Sequence, residues 1–140
     1  MLEFAFKNNL LLITGSGHIT FDDLVTHFQR LLTHPLYDPL CNVMMDFRRV
    51  DSLDLEAVQL RSIVDAERVA GYKRRIALTT STDHVYGLAR VFQSMATDLS
   101  SEYRVFRDYF SGMAWLLGKG SRSGSELKKM RQAGLRPDRD

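Results

Sequence analysis

The amino-acid sequence predicts an α/β fold: a single mixed sheet with a parallel core, an N-terminal β-hairpin at one edge and about four helices. Three observations predict it. Strand-like and helix-like apolar patterns alternate from Leu10 to Leu117. Most helical patterns open on hydroxyl or acidic residues of the kind that cap helices. The length of 140 residues, with 44% hydrophobic and 26% charged, suits one core and not two.

Taken in order, Leu2 to Phe6 alternates sides and Leu10 to Thr14 is apolar, with Lys7-Asn8-Asn9 as turn residues between them. Gly15-Ser16-Gly17 is expected to break the second strand in a bend or bulge. Thr20, with Asp23 three residues on, has the form of a capping box for a helix from about Phe21 to Thr33. Its spacing turns Phe21, Leu24, Val25, Phe28, Leu31 and Leu32 inward and leaves Asp22, Asp23, His27 and Arg30 outside. His34-Pro35 ends it. Cys41 to Phe47 reads as a strand buried on both faces. Ser52 or Asp54 is expected to cap a second helix that reaches Ala70, with Leu53, Ala57, Leu60, Ile63 and Val64 inward and Gly71 at its C-cap. Ile76 to Thr80 is the next strand, and Ser81-Thr82-Asp83 caps a third helix with apolar positions from Val85 to Leu99. Tyr103 to Arg107 is the final strand. Tyr109 to Leu117 is the final helix, for which Phe106, Tyr109, Phe110 and Trp115 supply packing.

These elements define a domain over residues 1–117. Residues 118–140 are glycine, serine and charge, expected to be a basic, disordered tail. From Lys119 onward seven basic residues face three acidic ones, so the formal net charge of +2 divides into +4 for the tail and −2 for the body. The basic pI therefore belongs to the tail, and a nucleic-acid partner is not expected. The longest purely apolar run, Leu10 to Ile13, is far too short to span a bilayer, and no export signal opens the chain. A single cysteine, Cys41, forms no intrachain disulfide, fits a reducing cytoplasm and reads as a structural thiol.

Several strings resemble the sulfate-transporter and anti-sigma-factor-antagonist (STAS) family, in its branch of small bacterial STAS/SEC14-like proteins. They are Leu12-Ile13-Thr14-Gly15 before Ile19-Thr20-Phe21-Asp22-Asp23, then Met45-Asp46-Phe47-Arg48-Arg49-Val50, Tyr86-Gly87-Leu88-Ala89-Arg90-Val91-Phe92, and Val105-Phe106-Arg107-Asp108 before Ala114-Trp115-Leu116. The resemblance spans about residues 2 to 117 and implies a STAS-like fold. In anti-sigma-factor antagonists of this kind, a serine in an Asp-Ser-Ser/Thr-Gly string is phosphorylated by a partner kinase. Asp51-Ser52-Leu53-Asp54 occupies the matching place, so the resemblance carries over only Ser52 as a phosphoacceptor; a plain helix cap is the alternative.

Chemistry-bearing residues are sparse. No histidine or cysteine pair has metal-ligand spacing, and no cofactor fingerprint is present, so neither a metal nor a cofactor is expected. His18 and His84 both precede helices at the strand ends where open α/β sheets bind ligands. With Arg48, Ser81 and Arg90 they make up a candidate ligand or interaction cleft. Lys73, Arg74 and Arg75 read as a solvated loop at the opposite end.

The expected function is a non-enzymatic interaction or regulatory module of STAS-like type, with a protein partner or a homodimer. Val91, Tyr86 and Tyr37 are the candidates for exposed contact residues. One alternative is a binder of a small apolar or amphipathic ligand, and another is a hydrolase or transferase built on Ser81, Asp83 and His84. A cavity of a few hundred Å³ between helices and sheet would favour the ligand; a hydroxyl–imidazole contact near 3 Å would be needed for the enzyme.

Overall fold

A computed structural model describes residues 1–118; the expected tail lies, apart from Gly118, outside the described residues. The elements are β1 (Leu2–Lys7), β2 (Leu10–Thr20), α1 (Phe21–Leu32), β3 (Asn42–Asp54), α2 (Ala57–Ala70), β4 (Arg75–Thr79), α3 (Asp83–Met95), β5 (Glu102–Phe106) and α4 (Tyr109–Gly118). They form one five-stranded sheet in the order β1-β2-β3-β4-β5, with β1 antiparallel to β2 and every other pair parallel. The hairpin closes through Asn8 and Asn9, whose φ angles of 53° and 61° lie in the left-handed region. Asparagine tolerates that region, and two such residues match the twist of the strands they join.

Adjacent strand residues point to opposite faces, and both faces are covered. Leu11, Ile13, Val43, Phe47 and Ile76 face α1, α2 and α3. Leu10, Met44 and Ala77 face α4, whose Met113, Trp115 and Leu116 close the other side. Strands added one after another in one direction, through connections of one hand, place all three crossover helices on the same face.

Several local expectations need correction. Gly15-Ser16-Gly17 does not end β2; the strand slips register between Thr14 and Ser16 and again between Gly17 and His18, then continues to Thr20. Gly15 is required there because a Cβ would lie 2.9 Å from Val50 Cγ2 and 3.0 Å from both Ile19 Cδ1 and Phe47 Cδ1. β3 is also longer than its apolar run: it pairs with β4 only along Val43–Asp46, while its later residues pair with Ser16–Thr20 as a two-stranded ribbon beyond the parallel core. The second helix consequently starts at Ala57. Glu56 is its N-cap, and its backbone N–H donates to Gln59 Oε1 at 2.8 Å, so neither Ser52 nor Asp54 caps it. Cys41 precedes β3 instead of lying within it, and α3 stops at Met95, short of Leu99.

The Thr20–Asp23 capping box opens α1 as the sequence predicts, with both reciprocal bonds formed. The face it buries is rotated from the expected one. His27 is buried, with its ring edge-on to Phe4 and Phe28, because α1 lies over the hairpin strand β1 as well as over β2. Val25 and Leu32 are exposed in exchange, at 37% and 56%.

Candidate functional site

The apolar stripes of α1 and α2 do not close on each other. α1 rests on β1 and β2, whereas α2 leans on α3. Between these two layers and the sheet lies a cavity of about 410 Å³, within the size range of small-molecule pockets. Phe21, Leu24 and Phe28 of α1, Met45 and Leu78 of the sheet, and Leu88 and Phe92 of α3 contribute to its walls. On α2, Leu60, Ile63 and Glu67 line it beside a run of small side chains: Ser62, Ala66 and Ala70 recur at every fourth residue and so share one helix face. Ser62 directs its hydroxyl to the Val58 carbonyl of its own helix, 3.0 Å away. These short side chains keep the cavity open on a surface where leucines would fill it.

One end of the cavity is polar. Arg74, immediately before β4, has only 9% of its side chain exposed and lines the cavity. Its Nη1 donates to the Tyr37 hydroxyl at 2.9 Å and to the Pro39 carbonyl at 3.4 Å, and its Nη2 to Glu67 Oε1 at 3.4 Å. The Tyr103 hydroxyl donates to the same carboxylate oxygen, and the Tyr72 ring lies 4.9 Å from the guanidinium carbon. Arg74 Nε is buried with no acceptor among the described residues. Burial works against the charge of Arg74, but Glu67 and the Tyr37 hydroxyl outweigh it and hold the pKa above the ordinary arginine value. Burial, and then the Glu67 carboxylate, push the Tyr103 phenol far up, and burial also raises Tyr37. Both tyrosines are therefore neutral at any physiological pH.

Arg74 is the residue the sequence misleads on. Lys73-Arg74-Arg75 looks like a solvated run, yet only Lys73 is exposed, and Arg75 extends along Glu102 and the Trp115 carbonyl. A usable signal was the set of tyrosines at positions 37, 72 and 103, the first two flanking the N-terminal ends of β3 and β4: phenols there imply a buried polar partner.

The residues proposed as a cleft are not on this cavity. His18 and Ser52 are register partners on the β2–β3 ribbon, and His18 Nδ1 hydrogen-bonds to Ser52 Oγ. No carboxylate hydrogen-bonds to the His18 ring among the described residues. Arg48 lies on the α4 side, donating two hydrogen bonds to Asp46, each 2.8 Å, and stacked 4.6 Å over Tyr109. The Asp46 carboxylate thus already occupies the position of a ligand anion. Asp46 is partly buried, which alone would raise its pKa, but Arg48 holds it below the ordinary value. Ser81 is exposed at the β4–α3 turn. His84 Nε2 contacts the Leu53 carbonyl at 3.0 Å, Asp83 pairs with Arg107 at 2.8 Å, and Arg90 donates to the Tyr86 hydroxyl at 3.2 Å. Ser81, Asp83 and His84 therefore do not assemble as a catalytic triad: the imidazole and the carboxylate are engaged elsewhere. Cys41 is half-buried, and burial followed by Asp38 raises its pKa, which keeps it a thiol.

No family model and no curated protein matches the chain. Among solved structures, an uncharacterised protein of the DUF3478 family with a SpoIIAA-like fold, from Shewanella loihica PV-4, is similar to it. The two are 17% identical, and the match covers 83% of this chain and 92% of the other at a TM-score of 0.52. This chain has the SpoIIAA-like, STAS-type fold. Besides the differing residues Leu53 and Asp54, the site departs from the phosphorylated string of the resemblance in its placement: Ser52 sits near the end of β3 on the β2–β3 ribbon, and α2 begins only at Ala57, so no helix N-terminus follows it directly to favour a phosphate. No helix of the described residues is long and apolar enough to cross a membrane.

Proposed function

We propose that this STAS-type domain binds one small apolar or amphipathic molecule between its sheet and helices α1 to α3. The observation that carries the reading is the cavity itself, about 410 Å³ and walled by aliphatic and aromatic side chains. An apolar cleft left to water forgoes the burial and dispersion contacts that an apolar ligand would restore. The exposed apolar residues Val25 and Leu32 stand on the same helix that forms one wall, as expected of an entry rim.

The neutral fluorophore N-phenyl-1-naphthylamine tests this directly. Saturable, one-to-one fluorescence enhancement at micromolar concentration is the expected result. Fluorescence that rises without saturating, or not at all, removes the ligand reading. A second reading, contact with a protein partner or a second copy, is favoured by Leu36 and Leu40, each 67% exposed, and by Val91 at 44%. Sedimentation equilibrium at micromolar concentration tests the homodimer: a dimer supports it and a strict monomer removes it.

A further inference from the structure

We propose that the Arg74–Glu67 pair at the polar end makes the cavity selective for uncharged amphiphiles bearing one acceptor oxygen, such as a ketone, over carboxylates. This rests on the ligand reading above and specifies what the site takes.

Two features of the polar end carry it. The first is the donor inventory. Arg74 lines the cavity and presents five N–H groups; Tyr37, Pro39 and Glu67 accept from three of them, and the second N–H of Nη2 has no acceptor among the described residues. A half-engaged guanidinium nitrogen at the polar end of an apolar cavity is poorly solvated, and a ligand oxygen entering from the apolar side would supply the missing acceptor.

The second feature is charge. Arg74 and Glu67 sum to zero, and the phenols around them are neutral, Tyr37 accepting from Arg74 and Tyr103 donating to Glu67. Lys73, next in sequence, is exposed and lies outside the lining. A carboxylate placed against Arg74 would therefore add an uncompensated negative charge close to Glu67 in a low-dielectric enclosure, where like charges repel strongly and desolvation is costly. A ketone oxygen asks only for a donor. The same apolar walls hold either tail, so the discrimination lies in the head.

Displacement of N-phenyl-1-naphthylamine from the full chain, at about pH 8 where a carboxylic acid is ionised, compares 2-decanone with decanoate. The ketone is expected to bind at least about tenfold more tightly. Any apolar cavity favours a neutral molecule, so the deciding readout is the ratio of the two affinities in Glu67→Gln. That variant keeps the shape of residue 67 and leaves Arg74 positive, so the ratio should fall by about tenfold or more, toward decanoate. Arg74→Met provides an independent measure: it should weaken 2-decanone by about tenfold while leaving the oxygen-free fluorophore within about twofold. A ratio unchanged in Glu67→Gln, or a wild-type protein that takes decanoate as well as the ketone, overturns the inference and leaves the cavity reading intact. Failure of the fluorophore itself to bind removes both.

Discussion

Replacing Ala66 with phenylalanine should fill the cavity from its α2 wall, and the sign of the resulting stability change separates an open cavity from a packed core. Ala66 is solvent-exposed yet lines the cavity, on the same face as Ser62 and Ala70. Complete burial of a phenylalanine side chain is worth up to about 3 kcal/mol. With most of the ring covered the gain is about 2.5 kcal/mol. Against it stand about 0.5 kcal/mol of helix propensity and about 1 kcal/mol of side-chain ordering. The balance is a gain of about 1 kcal/mol, or a rise of about 4 °C in melting temperature for a domain of this size. Binding of N-phenyl-1-naphthylamine should weaken at least about tenfold, because the ring takes the volume the fluorophore needs. Differential scanning fluorimetry and a binding titration on the same sample suffice. A variant destabilised by more than about 1 kcal/mol that still binds the fluorophore normally would refute the reasoning.

Three further perturbations follow from the packing. Gly15→Ala should destabilise by about 2–3 kcal/mol in urea denaturation, since its Cβ meets Val50, Ile19 and Phe47 atoms at 2.9–3.0 Å in a core that cannot give way; an unchanged midpoint would show that the ribbon relaxes. His27 is buried with Nε2 unpartnered, and burial, then the nearby Arg30 charge, depress its pKa below 6.5. The folded chain therefore resists a proton that the unfolded chain accepts, so stability is full above about pH 6.5 and declines as pH falls toward the native pKa. His27→Leu should raise stability by about 1 kcal/mol at neutral pH and flatten this part of the pH profile; a profile as steep as wild type would place the titration elsewhere. Ser52→Ala should cost well under about 1 kcal/mol, as expected for an exposed hydroxyl–imidazole contact on a strand ribbon and unlike the loss of a helix cap; a larger loss would mean the His18 contact holds the ribbon.

The architecture was legible because local patterns and global topology agree. The alternation of elements, the Thr20–Asp23 box, the Asn8-Asn9 turn and Gly71 at its positive φ of 67° are all written within a few residues of where they act. The features that escaped depend on distant partners. The end of β3, from Arg48 to Asp54, is too polar to read as a strand. It is one because β2 continues past its glycines to pair with it. His27 is buried by the hairpin strand it happens to cross, and periodicity on one helix carries no information about that neighbour. Arg74 and Glu67 are seven residues apart across a helix end and a turn, and the tyrosines they bond, Tyr37 for Arg74 and Tyr103 for Glu67, lie well over twenty positions away on either side. The cavity is subtler still: the apolar stripes of α1 and α2 look the same in sequence whether they close on a neighbour or face an opening. Only the run of small residues at 62, 66 and 70 hints at which.

The most direct test of the central claim is a methyl-resolved NMR titration of the full chain with N-phenyl-1-naphthylamine. Saturating shifts should appear at Leu24, Ile63, Leu78 and Leu88 on the cavity side, while Leu10, Met44, Met113 and Leu116 under α4 stay in place. Shifts confined to the α4 side, or none at any methyl at saturating fluorophore, would contradict it.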